Sequence, residues 1–168
     1  MQNYTGYGWE GKRYDRSLDI KDIAKIVRSE LKKGFPTCKF SVTLERYSMG
    51  QSLHIALMEA PFEAILKKGS IINNEFVSVQ DQGYEYTAYA QLNQYTFKYD
   101  YENALHSIPG WNNGAQLSRE AWDVMTGAYK LTNSFNYDDS DGMIDYFDTN
   151  FYLHLNIGKW DKAFQKND

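Results

Sequence analysis

Two segments of the chain repeat apolar residues at the three- and four-residue spacing of an amphipathic helix. The first run follows Asp19, a residue type that caps helix N-termini, and stops at Gly34. The second run follows Ser118, which is also a good capping residue. The pattern therefore predicts helices over about 19–33 and 118–135.

Elsewhere apolar and polar residues alternate, which is the pattern of a strand with one buried face. Two alternating runs lie within 38–58 on either side of a short loop containing Gly50, so they predict an antiparallel hairpin. A third alternating run covers 150–157. The simplest assembly is an α+β fold, in which the hairpin and the C-terminal strand form an antiparallel sheet and both helices pack on one face of it.

The composition fits a soluble globular protein that forms a single domain over residues 1–168. Of 168 residues, 42% are apolar and 24% charged, and no apolar run is long enough for a membrane span. Residues 1–17 carry glycines and tyrosines without periodicity, and we expect them to lie as an arm over the domain. The lone cysteine, Cys38, and the lack of a secretory signal favour a cytoplasmic location.

The charge is distributed unevenly along the chain. Residues 1–84 carry a net charge of +2 and residues 85–168 a net charge of -6, which together give the overall -4. This balance disfavours nucleic-acid binding, which usually requires a basic surplus. One basic stretch keeps open the alternative of an accessory protein that binds DNA or RNA during its transfer. Its members are Lys12, Arg13, Arg16, Lys21, Lys25, Arg28, Lys32 and Lys33.

Several stretches together resemble the large polyvalent protein-associated domain of the twenty-ninth type. They are Asp22-Ile23-Ala24, Arg28 to Lys32, Phe35-Pro36, Lys39 to Val42, Asn136 to Asp141, Asp145 to Asp148, Asn150 to Tyr152, and Ile157 to Trp160. Residues 19–60 match best, the C-terminal stretches resemble an extension seen in longer members, and 61–116 show no similarity that we can identify. The chain departs from the expected polar turn at Met58-Glu59-Ala60-Pro61. The resemblance implies a phage, plasmid or integrative-element setting, and it brings no catalytic motif with it.

The acidic turn after the second predicted helix is the main candidate for a binding site. Tyr137, Asp138, Asp139 and Asp141 lie within five residues, whereas a structural turn needs about one Asp as an N–H acceptor. An EF-hand register would place Tyr137 at the first ligand position, so the sequence does not predict that motif. We expect the turn to be solvent-exposed and to bind a basic partner. We expect Trp111, in a Pro-Gly/Asn-Asn-Gly loop, either to contribute to that surface or to cover the core.

The histidines offer a second, catalytic hypothesis. His54 and His154 both occupy the polar phase of a predicted strand. If those strands are neighbours, the two imidazoles share a sheet face with Glu45 and form a minimal metal or acid–base group. The alternative is a pair of half-exposed surface histidines.

Other catalytic signatures, including the P-loop, G-x-S-x-G and a strand-linked G-x-G-x-x-G, do not occur in the sequence. We therefore expect no cofactor and no catalytic residue. The sequence favours an interaction protein of a mobile element that binds a host or element protein, such as a defence or nucleic-acid-handling factor, through an acidic, aromatic-rich surface. An enzyme that uses the His/Glu face remains the second alternative.

Overall fold

The computed structural model describes residues 3–65, 90–98, 100–101 and 117–167. Within these ranges, two short 3₁₀ helices, Gln94–Lys98 and Gly142–Ile144, accompany the regular elements. Those elements are β1 (Trp9–Glu10), α1 (Ile20–Gly34), β2 (Lys39–Tyr47), β3 (Gly50–Ala60), β4 (Ala90–Leu92), α2 (Arg119–Asn133), β5 (Tyr137–Asp138), β6 (Tyr152–Ile157) and β7 (Gln165–Lys166).

Both helices begin at the capping residues that the sequence indicates. Asp19 caps α1 and forms a reciprocal capping box with Asp22, three residues further on. Ser118 caps α2 by accepting a hydrogen bond from the backbone N–H of Ala121 at 3.2 Å. Within the described ranges, no helix has the length and hydropathy needed to cross a bilayer.

The main sheet has the strand order β2-β3-β6-β4 in the described part of the chain, and β7 pairs with the end of β3. The α+β class is confirmed, and β2 and β3 form the expected antiparallel hairpin. The direction of β6 differs from the predicted antiparallel sheet. Strand β6 runs parallel to β3, so the sheet is mixed. The long connection between these strands contains α2, which brings the chain back to the end of the sheet where β3 began.

The core lies between one face of the sheet and the two helices. Leu53, Ile55 and Leu57 of β3 face the same cluster as the buried stripe of α1 and the apolar face of α2. Strand β6 contributes Leu155 and Ile157 to this cluster. The alternate residues of β2, β3 and β6 lie on the opposite face of the sheet.

The N-terminal arm, residues 3–17, docks against the end of α2. The N–H of Gly11 donates to the carbonyl of Asn136, and the N–H of Arg13 donates to the carbonyl of Ser134, both at 2.8 Å. The Arg13 guanidinium lies 4.4 Å from the centre of the Phe135 ring. The arm is thus fixed by the backbone immediately before the acidic turn.

Candidate functional site

The acidic turn belongs to a short hairpin that follows α2. On one side, β5 pairs antiparallel with β1 of the arm. On the other side, isolated bridges join Asp138 to Thr149 and Asp141 to Tyr146. We call residues 137–150 the acidic hairpin. It is a hydrogen-bonded ladder, held between the arm and the body of the fold.

Asp139 is buried, with 1% of its surface exposed, so the expectation that the whole turn is solvent-exposed is wrong at this residue. Its carboxylate accepts hydrogen bonds from the backbone N–H of Tyr4, and from the N–H and hydroxyl of Thr5 at 3.1 and 2.7 Å. Burial acts to raise the pKa of Asp139, but these hydrogen bonds outweigh it and the pKa lies below its usual value. Asp139 therefore holds the arm in place.

The other two aspartates of the turn also bond to backbone groups. Asp138 accepts from the N–H of Ser140 at 2.8 Å, and Asp141 caps the second 3₁₀ helix by accepting from the N–H of Met143 at 3.0 Å. All three aspartates thus have structural roles. From the sequence we expected the turn to need about one such acceptor, so the structural roles of the other aspartates were not predicted.

Tyr137 is tied to the opposite strand of the hairpin. Its hydroxyl donates to Asp148 at 2.9 Å, and its ring meets the edge of Tyr14 with 5.0 Å between centroids. Burial, followed by the bond to Asp148 and the charge of that carboxylate, raises the pKa of Tyr137 to about 12. The hydroxyl of Tyr137 is therefore engaged within the hairpin.

Sequence analysis missed the most exposed feature of the hairpin, its apolar end. Met143 is 93% exposed, Ile144 69% and Phe147 62%. We call these three residues the apolar tip. The sequence did contain an indication of this exposed apolar end. Met143 and Ile144 stand between aspartates in a loop and belong to no predicted core strand or helix.

The apolar tip is held by a tight turn. The N–H of Asp141 donates to the carbonyl of Tyr146 at 2.7 Å, and the N–H of Tyr146 donates back at 2.9 Å. Asp145 adopts the left-handed conformation, with φ of 55°, which Asp tolerates better than most residues. The Tyr4 ring of the arm lies 5.5 Å from that of Tyr146 and extends the aromatic surface.

Carboxylates surround the apolar tip. Asp141, Asp145 and Asp148 lie in the same loop, and Asp145 is exposed. The pKa of Tyr146 is raised, by burial first and then by the negative charges of Asp148 and Asp139. An apolar surface within a negative field is suited to a basic, partly apolar binding partner.

A cavity of about 320 Å³ opens between the acidic hairpin, the arm and the first 3₁₀ helix. Five aromatic residues of the described part of the chain line it: Trp9, Tyr95, Tyr129, Phe151 and Tyr152. Asp138 and Lys98 contribute one charge of each sign. Of the predicted site residues that the structure describes, Asp138 is the one that lines this cavity.

The histidine pair predicted from strand phase is present on the opposite face of the sheet from the helices. His54 and His154 stand side by side in the β3–β6 register, with ring centroids 4.6 Å apart and planes 15° from parallel. Glu45 lies 3.5 Å from Nε2 of His54. Burial, and then the neighbouring His54, lower the pKa of His154, although Glu45 opposes the shift.

The lone pairs of imidazole nitrogens lie in the ring planes, so nearly parallel rings do not direct them at one ion between the planes. Across the ranges that the structure describes, no group of three or more His, Cys, Asp or Glu side chains is placed to hold a metal ion.

Comparison with known proteins identifies the family. A family model described as large polyvalent protein associated domain 29 matches residues 18–116, which is more than half of the chain. The chain belongs to this family. The curated proteins and the solved structures gave no match.

The domain 29 match differs in extent from the resemblance noted in the sequence. It continues through residues 61–116, where we identified no similarity, and ends before the C-terminal stretch that begins at Asn136. The matched region includes α1, β2, β3 and β4. The acidic hairpin and β6 therefore lie in a part of this domain 29 protein that the family model does not cover.

Two of the eight basic candidates for nucleic-acid contact are bound within the fold. One guanidinium nitrogen of Arg13, Nη1, donates to both carboxylate oxygens of Glu30, at 2.7 and 3.0 Å. The Arg28 guanidinium donates to the carbonyl of Val42, with its shorter bond at 2.8 Å. Trp111, the remaining candidate binding residue of this domain 29 protein, lies outside the described residues.

Proposed function

We propose that this domain 29 protein is a non-enzymatic interaction protein of a mobile element. It binds a basic host or element protein through the apolar tip and the carboxylates around it. The observation that carries the proposal is the exposure of Met143, Ile144 and Phe147, at 93%, 69% and 62%. Family membership supports the mobile-element setting, since the domain is by its name associated with large polyvalent proteins.

Exposed apolar side chains on a fixed loop favour binding for two reasons. Covering them removes apolar surface from water, which is the main favourable contribution in most protein associations. The hydrogen bonds between Asp141 and Tyr146 hold the loop in one shape before binding, so less conformational freedom is lost on association.

The surrounding charge selects the class of partner. Asp141, Asp145 and Asp148 would repel the phosphates of nucleic acids and the anionic lipids of a membrane. A protein with basic residues around an apolar pocket gains both long-range attraction and burial. Such surfaces occur on proteins that handle nucleic acids, which sequence analysis names beside defence factors as an example of the partner.

The test is affinity capture from a lysate of the native cell with three immobilised proteins. These are the wild type, the tip variant Met143→Ser/Ile144→Ser, and the control Met49→Ser. Met49 is 90% exposed at the turn between β2 and β3, so the control removes a similar apolar side chain away from the acidic hairpin.

We expect a basic protein to be retained at near-stoichiometric yield by the wild type and by the control. It should be retained at least about tenfold less by the tip variant, because anchoring side chains carry most of the binding energy of an interface. Raising the salt concentration should weaken retention by screening the charges. Equal retention by all three proteins, or no salt-sensitive partner of the wild type, would contradict the proposal.

A further inference from the structure

The cavity beside the acidic hairpin is built from parts of the chain that are far apart in sequence. Trp9 comes from the arm, Tyr95 from the first 3₁₀ helix, Tyr129 from α2 and Tyr152 from β6. At about 320 Å³ the cavity is at the lower end of the range for ligand pockets. It can accept one large side chain or a small planar molecule.

The lining has the properties of a cation site. Aromatic ring faces carry negative electrostatic potential, and Asp138 lines the cavity together with the aromatic residues. Nζ of Lys98 already lies 5.2 Å from the centre of the Tyr95 ring, so one wall of the cavity holds a cation within the protein itself. Lys98 is exposed, and its flexible side chain can move aside for a ligand.

The aromatic composition of the lining favours a guanidinium over an ammonium group. A guanidinium stacks flat on aromatic rings, is weakly hydrated, and donates two parallel hydrogen bonds to one carboxylate. Asp138 accepts one internal bond, from Ser140, which leaves further acceptor positions on its oxygens. Elsewhere in this chain Arg13 lies over Phe135 at 4.4 Å and Arg119 over Tyr101 at 5.3 Å, which is the same type of contact.

We propose that this cavity is a receptor for the guanidinium group of an arginine side chain, with Asp138 as the carboxylate partner and Trp9, Tyr95 and Tyr152 as stacking walls. The proposal rests on the proposed function in one respect, which is that the arginine belongs to the basic partner protein. Asp138 precedes Asp141 by three residues on one extended arm of the hairpin, a distance of roughly 10 Å at strand spacing. One partner chain can therefore cover the apolar tip and insert an arginine here.

The test uses a small probe and no partner protein. N-acetyl-arginine amide is titrated into the isotopically labelled full chain, and the indole N–H resonance of Trp9 is followed by NMR. Matched titrations use N-acetyl-citrulline amide, which keeps the shape but has no charge, N-acetyl-lysine amide, and adenosine. The proteins are the wild type, Asp138→Asn, Tyr95→Leu and the control Asp161→Asn, which removes an exposed carboxylate outside both the hairpin and the cavity lining.

We expect saturable binding of the arginine probe with a dissociation constant on the order of millimolar, typical of a fragment this small. Asp138→Asn and Tyr95→Leu should each weaken it by about tenfold, and Asp161→Asn should leave it within about twofold. The Asn side chain can still accept from the N–H of Ser140, so the turn should be retained. Unchanged resonances outside the cavity will verify that each variant is folded.

Equal binding of the citrulline probe, preferred binding of adenosine or lysine amide, or no binding of the arginine probe would each overturn the cavity proposal. None of these results bears on capture of a partner by the apolar tip. Conversely, failure of the tip proposal would leave an arginine-specific cavity with an unknown source of arginine. The two failures can therefore be told apart.

Discussion

The docking of the N-terminal arm can be tested by the single substitution Gly11→Ala. A Cβ atom at residue 11 would lie 2.3 Å from the carbonyl oxygen of Ser134 and 2.4 Å from that of Asn133. Both contacts are with backbone at the end of α2, where the N–H of Ser134 is bonded to preceding carbonyls. The helix end is therefore fixed, and we expect the arm to move away.

The energetic cost comes from the hydrogen bonds and the ring contact that break when the arm lifts. The hydrogen bonds from the N–H groups of Gly11 and Arg13 each contribute about 0.5 to 1.5 kcal/mol. The contact of Arg13 with the Phe135 ring contributes about 0.5 to 1 kcal/mol more. We expect the free energy of unfolding to fall by about 2 to 3 kcal/mol, which for a chain of this size corresponds to a fall in Tm of about 5 to 10 °C.

Urea denaturation followed by circular dichroism measures this change, and Gly34→Ala is the matched control. No atom lies within 4 Å of a Cβ at Gly34, so the control should leave stability unchanged or raise it by about 0.5 kcal/mol. The Gly11→Ala protein should also lose binding of the arginine probe, because Trp9 moves with the arm. If Gly11→Ala falls within about 0.5 kcal/mol of the wild type, the arm is not docked as described.

Three further substitutions test the hairpin and the histidine pair. Asp139→Asn removes one of the two carboxylate oxygens that hold the arm, so amide hydrogen exchange at Thr5 should accelerate. The control Asp145→Asn should leave the exchange rate at Thr5 unchanged. Tyr137→Phe loses the bond to Asp148 and should destabilise the protein by about 1 kcal/mol in urea denaturation. Because the pKa of Tyr137 is raised to about 12, the variant should also have one tyrosine fewer to titrate at strongly alkaline pH in a spectroscopic titration. The folded state disfavours protonation of His154, because the pKa of this residue lies below its usual 6.5. The stability that the neutral His154 contributes is therefore present above pH 6.5 and declines as the pH falls below it. His154→Asn should flatten this decline, and an unchanged pH profile would refute the assignment.

Much of the fold could be predicted because its signals are local. The helix starts at Asp19 and Ser118 depend on capping within three residues, and the β2–β3 hairpin depends on alternation across a short loop. The phase of β3 and β6 also placed His54 and His154 on one face correctly. The direction of β6 could not be predicted, because it depends on where a long connection returns the chain.

The candidate site was harder to predict because the residues that form it are distant in sequence. The bonds to Asp139 come from Tyr4 and Thr5, 135 and 134 residues away, so nothing near the turn indicated that this carboxylate is buried. Three aspartates in five residues suggested a free acidic surface, whereas each of them bonds to backbone N–H groups. The apolar tip has too few residues to form a periodic pattern.

Photo-crosslinking at the apolar tip tests whether this surface binds a basic protein in the cell. Phe147 is replaced by a photo-crosslinking phenylalanine analogue in one protein, and Met49 is replaced in a control. Each protein is irradiated in the native cell at low expression. Binding through the apolar tip predicts that position 147 crosslinks to one basic protein in high yield and that position 49 does not. Crosslinking of that protein at position 49 and not at 147, or of nucleic acid at 147, would contradict it.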